Sequence, residues 1–498
     1  MFERRRQLAI GAAAMIGRRH FVAGAAAAGA VAVLAPLFPR AHAFPTSILA
    51  SVYSRIEAGV RTFDFTAQEY SSAVLGREKP TPFWSYVPGL LPVMRVKRGE
   101  PLRARLGNTL SEHTSIHWHG IRVPNAMDGV PFITQKPVYR GESFVYEFTP
   151  PDTGTFFFHP HCNEAGQVGR GLAGLLIVTG DESEPFDDDI PVVVKDWRVD
   201  EQGQFLPAYT AKGASRAGTF GNIRSVNGVS QYKRKVPAQG YVRVRIANLD
   251  SSRIIEVGVE GAQAQIIAVD GNAIEPFHLD SWRMGPAMRL DLAIATPKPG
   301  ETARIIDYAQ AELFTLAELH ADDRIAPRRA AAPRLNASSI PEPDLNQAVP
   351  QSYVFGAASE SLGNYIDSLD PNDPLTKVIL DTLCAGPQTF WAINKQAWPN
   401  DGHRNVPPPL ARLAAGKTYR FTLQNATPHS HPIHLHGHTF KVLSASKRTV
   451  PVHYADTVLV TPKERVEIAF VANPGDWMFH CHILEHLETG MMGYLRVT

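Results

Sequence analysis

The sequence predicts an all-β protein made of β-sandwich domains. Short segments in which apolar and polar residues alternate recur along the chain, for example at 102–106, 144–148 and 242–246. Period-two alternation places apolar side chains on one face of a strand, and the Gly, Pro, Asn and Asp residues between such segments are typical of turns. The first and last thirds also repeat one pattern, since strands ending in Asn108 and Asn425 each precede a histidine-rich segment. We therefore expect antiparallel strands in sandwiches, with the outer thirds as copies of one domain.

The length of 498 residues suits several domains, because one domain typically holds roughly 100–200 residues. Changes in composition predict a first domain, a middle domain, a linker and a last domain at 44–180, 181–325, 326–352 and 353–498. The middle domain has the strand pattern of its neighbours but contains only His278 and His320 as histidines. The linker is rich in Ala, Pro and Arg, which is typical of connecting segments.

The first 43 residues resemble an export signal. The motif Gly-Arg-Arg-His-Phe-Val precedes an apolar run, and small residues around Ala43 suit a cleavage site. This motif is similar to the twin-arginine type, whose export machinery carries folded proteins, although the arginines nearer the N terminus also fit an ordinary basic leader. Glycines and Pro36 interrupt the run, which is shorter than a membrane span of about 20 residues. We expect a periplasmic or secreted protein that begins near Phe44 and keeps no stable membrane span.

Charge and cysteine content argue against two classes of protein. The 50 basic residues nearly balance the 48 acidic ones, so the net charge of +2 offers no electrostatic footprint for a nucleic-acid partner. Three cysteines are too few for a disulfide framework in an exported chain of this length. At least one cysteine therefore has another role, while Cys162 and Cys384 are expected to be buried thiols.

Histidines carry the strongest signal for function. Ten of the nineteen fall into four tight clusters, which are His117 and His119; His159 and His161; His431, His434 and His436; and His480, His482 and His486. In a strand, residues i and i+2 point to the same face about 6.6 Å apart. Four His-X-His pairs on predicted strands therefore place pairs of imidazoles toward shared metal sites.

One strand is expected to serve two metal sites on opposite faces. The two histidines that flank Cys481 point to one side of the strand, and the thiol points to the other. His431 lies three residues before His434 and so has the opposite parity, although Pro432 weakens this inference. We therefore group His431 with Cys481.

The thiolate site fits copper. His431, Cys481 and His486 would supply two imidazoles and one thiolate, and Met491 follows the cysteine by ten residues as a weak axial thioether. This donor set is that of blue-copper electron-transfer sites, and it suits copper better than zinc or calcium. Eight clustered histidines remain, which are too many for one metal ion and fit a cluster of three.

This arrangement predicts a four-electron oxidase. One-electron donors would reduce the blue copper, and electrons would cross the Cys481 backbone to His480 and His482. The cluster would bind O2. Three copper ions plus one hold the four electrons that reduction of O2 to water requires.

The motifs resemble those of multicopper oxidases, the family of laccases, ascorbate oxidase and bacterial cuprous and manganese oxidases. The resemblance rests on His-Pro-Ile-His-Leu-His-Gly-His at 431–438 and on His-Cys-His-Ile-Leu-Glu-His-Leu-Glu-Thr-Gly-Met-Met at 480–492. It covers the mature chain. It implies three cupredoxin-like Greek-key β-sandwich domains, with a trinuclear copper site between the first and the last.

The resemblance also implies four copper ions, namely one type 1, one type 2 and a type 3 pair. By motif position, the type 1 ligands would be His431, Cys481, His486 and Met491. The type 2 ligands would be His117 and His434, and the type 3 ligands would be His119, His159, His161, His436, His480 and His482.

Asp128 matches the acidic residue that helps to deliver protons to the cluster in this family. It stands in Met127-Asp128-Gly129-Val130-Pro131, where an aspartate before a glycine also fits a simple turn. Many bacterial relatives carry a second acid directly after the last type 1 histidine. Here Leu487 fills that place and Glu488 follows, so the motif leaves the second proton route unassigned.

The expected reaction is laccase-type oxidation of a phenolic donor by O2. Oxidation of cuprous or manganous ions is the alternative, and a non-catalytic cell-envelope scaffold is a third possibility. Cuprous oxidases often carry a methionine-rich insert near the blue copper, but residues 326–470 contain no methionine. Retention of all ten histidines and the cysteine argues against a scaffold that has lost its metals.

Overall fold

A computed structural model describes residues 49–73, 79–358, 389–399 and 406–498. The export signal predicted for 1–43 and the predicted buried thiol of Cys384 lie outside these ranges. Within the described ranges, no helix combines the length and the apolar composition needed to cross a membrane.

The first third of the described chain forms a two-sheet sandwich of ten strands. These are β1 (Leu49–Ser51), β2 (Ser54–Glu57), β3 (Val60–Ser72), β4 (Thr81–Ser85), β5 (Leu90–Lys97), β6 (Leu102–Asn108), β7 (His117–His119), β8 (Ser143–Phe148), β9 (Gly154–His159) and β10 (Gly174–Thr179). One sheet has the order β1, β5, β10, β9, β7, and the other has the order β2, β3, β6, β8 with β4 paired to β3. A 3-10 helix spans Asn125–Met127, and helix α1 spans Glu164–Gly169.

The middle third forms a second sandwich. Its strands are β11 (Asp188–Trp197), β12 (Ile223–Val226), β13 (Lys233–Ala238), β14 (Tyr241–Asn248), β15 (Ile255–Glu260), β16 (Ala264–Val269), β17 (Asn272–His278), β18 (Trp282–Met284), β19 (Arg289–Ala295), β20 (Thr302–Asp307) and β21 (Phe314–Ile325). The sheets have the orders β12, β11, β14, β19, β16, β17 and β13, β21, β20, β15, β18. Helix α2 spans Ala211–Ala214.

The last third forms a third sandwich. Its strands are β22 (Val349–Ala357), β23 (Trp391–Ile393), β24 (Ala411–Leu413), β25 (Thr418–Asn425), β26 (His431–Leu435), β27 (Phe440–Ala445), β28 (His453–Ala455), β29 (Thr457–Val460), β30 (Arg465–Val471), β31 (Gly475–Cys481) and β32 (Met492–Val497). The sheets have the orders β23, β22, β25, β30, β27, β28 and β24, β32, β31, β26, β29. Helix α3 spans Leu484–Glu488. The predicted all-β class, with three sandwiches, is confirmed.

Each sandwich encloses an apolar core that follows from the alternating sequence. In β6, for example, Leu102, Ala104 and Leu106 are buried while the residues between them are partly exposed. Buried side chains of the two sheets pack against each other in one main cluster for each third of the chain.

Some strand pairs are parallel, which differs from the expectation of antiparallel sheets. Examples are β3 with β6, β11 with β14, and β22 with β25. Two parallel neighbours need a crossover connection. In each of these pairs, the connecting segment contributes a strand to the opposite sheet.

The predicted linker packs against the first sandwich. The Thr153 amide donates a hydrogen bond to Ser338 Oγ at 3.1 Å, and Arg122 Nη2 donates to the Ser339 carbonyl at 3.0 Å. Strand β22 begins at Val349, inside the segment 326–352 that was expected to be a linker.

Candidate metal centres

Antiparallel pairing brings the histidines of each outer sandwich together. Strand β7 pairs with β9 so that His117 lies opposite His159. Strand β26 pairs with β31 so that His434 lies opposite His480. The same local arrangement thus occurs in the first and last sandwiches, as the sequence repeat suggests.

The two histidine groups meet face to face. The ring of His117 stacks on that of His436, and the ring of His119 stacks on that of His434, with centroids 3.7 Å apart in both pairs. Eight buried histidines converge at this junction, namely His117, His119, His159, His161, His434, His436, His480 and His482. We call this group the histidine cluster.

Only one of the four His-X-His pairs lies wholly within a strand. His117 and His119 are both in β7, whereas His161, His436 and His482 fall just beyond the ends of β9, β26 and β31. The two rings of each pair nevertheless lie close to each other. The ring centroids of His480 and His482, for example, are 5.6 Å apart.

The ring nitrogens of the histidine cluster are prepared to bind cations. His117 Nδ1 donates a hydrogen bond to the Asp128 carbonyl at 2.8 Å, and His159 Nδ1 donates to the Pro160 carbonyl at 2.9 Å. A carbonyl only accepts, so these rings carry their proton on Nδ1 and leave a lone pair on Nε2. The Nε2 atoms of His117, His159, His161 and His434 are buried and have no hydrogen-bond partner among the described residues. Such orphaned lone pairs fit a bound metal.

The rings of His436 and His480 also carry their proton on Nδ1 and a lone pair on Nε2. His436 Nδ1 donates to Asp128 Oδ2 at 2.8 Å, and His480 Nδ1 donates to the Cys481 carbonyl at 3.0 Å. Their Nε2 atoms therefore both carry lone pairs, and they face each other at 3.1 Å. Two facing lone pairs repel, and a cation that both nitrogens contact would remove that repulsion.

Burial keeps several of the cluster histidines neutral. It lowers the pKa of His159 and His161 to about 3 and that of His480 to about 4. Neutral imidazole is the form that binds metals, so these ligands need not lose a proton at neutral pH.

A second group lies on the other face of β31. The Nδ1 atoms of His431 and His486 are 3.1 Å apart, and they lie 3.5 and 3.7 Å from Cys481 Sγ. His431 Nε2 donates to Thr427 Oγ1 at 2.8 Å, and His486 Nε2 donates to the Arg216 carbonyl at 2.7 Å. Both Nδ1 lone pairs are therefore directed at the thiol. We call this group the thiolate site.

Met491 lies beside the thiolate site. It is fully buried, the Cys481 amide donates to its carbonyl at 3.0 Å, and its own amide donates to the His486 carbonyl at 2.9 Å. Burial raises the pKa of the Cys481 thiol, because a buried negative charge needs a compensating positive charge. A bound metal ion would supply that charge. The residues present thus fit copper at both groups.

Cys481 connects the two groups through the backbone. Its side chain belongs to the thiolate site, while its neighbours His480 and His482 belong to the histidine cluster. Cys162, by contrast, is a buried free thiol next to His161. Burial raises its pKa, which is typical of an inert structural cysteine.

Sequence reasoning missed side chains that contact the two groups. Asp456 lies between β28 and β29, and its Oδ1 accepts a hydrogen bond from His119 Nε2 at 3.0 Å. Trp391 packs on the thiolate site, with its ring centroid 4.7 Å from that of His486. The available signal for Asp456 in the sequence was an acidic residue within the largely apolar segment 453–460.

A cavity of about 1460 Å³ extends beside the histidine cluster. Its lining includes His161, Glu164, Leu487 and Glu488. Glu164 Oε1 lies 2.9 Å from His161 Nδ1, and Glu488 Oε1 accepts a hydrogen bond from the Ala165 amide at 2.8 Å. Burial raises the pKa of Glu488 to about 8. The acid after Leu487 therefore faces this cavity.

Comparison with known proteins agrees with this geometry. Three family models described as multicopper oxidase match residues 78–183, 188–303 and 374–498. The crystal structure of a multi-copper oxidase from Pseudomonas thermotolerans is 35% identical, with a TM-score of 0.79 over 89% of this chain and 100% of that one.

Curated relatives agree as well. Multicopper oxidase MmcO of Mycobacterium tuberculosis is 28% identical over 81% of this chain and 80% of its own length. A laccase of Cryphonectria parasitica is 27% identical over 80% of this chain and 75% of its own length.

The fold and the two donor sets define a copper-binding oxidoreductase that uses O2 as electron acceptor. The chain belongs to the multicopper oxidase family.

Proposed function

We propose that this oxidase takes single electrons from a phenolic donor at the thiolate site and reduces O2 to water at the histidine cluster. The observation that carries the proposal is the tripeptide His480-Cys481-His482, which places a thiolate donor set and an eight-histidine donor set on the two faces of one strand. Four bound copper ions would supply the four electrons that one O2 requires. The protein supplies the buried ligands and the short covalent path between them.

The ligand sets follow the two groups. His431, Cys481, His486 and Met491 would hold the type 1 copper. His117 and His434 would hold the type 2 copper, since each anchors Nδ1 on the backbone carbonyl of a buried aspartate and directs Nε2 inward. The type 3 pair would take His119, His159, His161, His436, His480 and His482.

Asp128 is proposed to deliver protons to the cluster. It is buried, and its Oδ2 accepts a hydrogen bond from His436 Nδ1 at 2.8 Å. Its Oδ1 lies 3.3 Å from His117 Nδ1 and has no hydrogen-bond partner among the described residues. A carboxyl oxygen at this place can take up a proton and pass it to oxygen that is being reduced.

A phenolic donor is favoured over a metal ion by two observations. One relative is named a laccase, and residues 326–470 of this chain lack the methionines of a soft copper-binding insert. Cuprous and manganous ions remain the alternative donors.

Oxygen uptake by the copper-loaded protein tests the proposal. With a phenolic donor we expect about four donors oxidised for each O2, and no uptake by the Cys481→Ser variant. Cys162→Ser is the matched control, because this buried thiol lies outside both groups. A copper-replete wild type that consumes no O2 with phenols would refute the phenolic assignment, and cuprous and manganous ions would then be tested as donors.

We also propose that the protein is exported to the periplasm or beyond by the twin-arginine machinery. The motif at 17–22 and the apolar run that follows support this proposal. Fractionation of cells that express the wild type and an Arg18→Lys, Arg19→Lys variant tests it. We expect the variant to stay in the cytoplasm, and equal export of both chains would contradict the twin-arginine route.

A further inference from the structure

The middle sandwich supplies no histidine to either donor set, yet one of its arginines reaches the histidine cluster. Arg289 begins β19 and is fully buried. Its Nη1 donates a hydrogen bond to Asp456 Oδ1 at 2.9 Å, and its Nη2 donates to Asp456 Oδ2. This bidentate ion pair joins the middle sandwich to the last one.

Asp456 in turn contacts two cluster histidines. Its carboxylate Oδ1 accepts from His119 Nε2 at 3.0 Å, and its carbonyl accepts from His434 Nδ1 at 2.8 Å. The Thr457 hydroxyl donates to Asp456 Oδ1 at 2.8 Å, so its oxygen is free to accept from His119 Nε2 at 3.1 Å. Two acceptors thus hold the proton of His119 on Nε2.

His119 is therefore oriented opposite to its neighbours. His117, His159 and His434 anchor Nδ1 and leave Nε2 without a partner. His119 anchors Nε2, and its buried Nδ1 is the atom that lacks a partner in the described part of the chain. Which nitrogen of His119 is available to a metal depends on Asp456.

The space around the pair is also restricted. Gly120 has φ +86°, and a Cβ at that position would collide with Arg289 Nη2 and Asp456 Oδ2. The ring of His119 lies between Phe157, 4.3 Å away between centroids, and His434, 3.7 Å away. The imidazole cannot turn over unless this packing opens.

Arg289 is itself held by contacts with all three sandwiches. Its amide donates to Asp270 Oδ1 at 2.9 Å, and its Nε donates to the Thr155 carbonyl in β9 at 3.1 Å. Asp270 Oδ2 also accepts from the Thr457 amide at 3.1 Å. The guanidinium thus contacts all three sandwiches at the point where they meet.

We propose that Arg289 and Asp456 are positioning residues that fix His119 with Nδ1 toward the cluster, and that the middle domain thereby controls a copper site to which it gives no ligand. The inference rests on the copper assignment of the proposed function. Partners that orient metal-bound histidines typically change metal affinity by roughly 10- to 100-fold when they are removed.

The variants Arg289→Gln and Asp456→Asn test this inference, with Arg243→Gln as the matched control. Arg243 is an equally buried arginine of the middle sandwich, but its guanidinium pairs with Asp181 and Asp291. Each purified chain is loaded with copper, and its copper content, its electron paramagnetic resonance spectrum and its thermal unfolding are measured. The visible band of the thiolate-bound copper serves as an internal standard.

We expect both test variants to keep the visible band but to bind cluster copper roughly 10- to 100-fold more weakly, with an altered type 2 spectrum. Arg243→Gln should lose stability without these changes. If Arg289→Gln does not fold, Arg289→Lys takes its place. A lysine keeps the charge but cannot bridge both oxygens of Asp456, so the same direction of change is expected.

Full copper content and an unchanged spectrum in the folded Arg289 and Asp456 variants would overturn the inference, as would the same loss in Arg243→Gln. A crystal structure of a copper-loaded variant gives a direct readout. His119 with Nε2 turned toward the cluster supports the inference, and Nδ1 retained there refutes it. A wild-type chain that binds no cluster copper would instead overturn the proposed function, and this inference with it.

Discussion

Asp128 supports two histidines of the cluster, and its side chain is proposed to transfer protons as well. Its backbone carbonyl holds His117, and its carboxylate holds His436. In an Asp128→Asn variant the amide oxygen can still accept from His436, so we expect copper content to be retained. The amide cannot carry a proton, and O2 uptake should fall by roughly 100-fold or more. Copper analysis and the pH profile of O2 uptake measure both effects.

Asp152→Asn is the control for that variant. Asp152 is also buried, but it pairs with Arg122, with Nε and Oδ2 2.8 Å apart. This change should affect stability more than oxygen uptake. An Asp128→Asn enzyme that retains the wild-type rate would contradict a role in proton delivery.

Some residues of the site can be predicted from the sequence, and others cannot. The spacing of His480, Cys481 and His482 encodes which side chains share a face, so local geometry is enough to group them. The pairing of Arg289 with Asp456 has no such local signal, because the two residues are 167 positions apart. Their meeting depends on how the sandwiches pack.

At the scale of elements, the turn after the 3-10 helix fixes strand β7. Gly129 has φ +82°, and a Cβ there would collide with the carbonyl of Ile116, the residue before His117. Gly141 has φ +84°, but no atom of the described residues lies within 4 Å of its Cβ position. Alanine at either site costs about 1–2 kcal/mol for the left-handed backbone, and only Gly129→Ala adds a collision.

We therefore expect Gly129→Ala to lower the free energy of unfolding clearly more than Gly141→Ala and to reduce cluster copper content by moving His117. Urea unfolding and metal analysis of both variants check this. Equal destabilisation by the two changes would contradict this prediction, because it would show that β7 shifts to accommodate the added methyl group at little cost.

The strands themselves could largely be predicted from the sequence, but the direction of their pairing could not. Alternation in segments such as 102–106 marks one buried face, and the structure has a strand with that pattern in β6. The same alternation is compatible with parallel or antiparallel pairing. The parallel pair of β3 and β6 therefore had no signal in the sequence.

At the scale of the whole molecule, buried ionisable groups should make the copper-free protein sensitive to acid. Burial lowers the pKa of eleven described histidines, including His486 to about 3. Below about pH 6.5 these side chains take up protons in the unfolded chain but not in the folded one. Histidines thus lower the stability of the fold as pH falls toward about 3.

Buried carboxyls act in the opposite direction but are fewer. Burial raises the pKa of five described carboxyls, among them Glu488 to about 8 and Glu485 to about 7. The folded chain therefore holds protons on them that the unfolded chain loses above about pH 4.5, which favours folding as pH falls through this window.

Because the histidines outnumber the carboxyls, we expect the copper-free protein to be less stable at about pH 5 than at about pH 7. The free energy of unfolding should change by up to ~1.4 kcal/mol per pH unit for each net proton. Urea unfolding at the two pH values measures it. Equal or greater stability at the lower pH would contradict the balance of buried groups described here.

The placement of ligands at the two ends of the chain also sets an order of events during synthesis. Asp128 and His436, which touch in the finished protein, are 308 positions apart. At roughly 5–20 residues per second, a ribosome would need about 15–60 s to make the chain between them. During that interval the nascent first domain offers only half of the cluster to the metal ions of the cell. Assembly of the complete histidine cluster is therefore confined to chains whose last domain has already been translated.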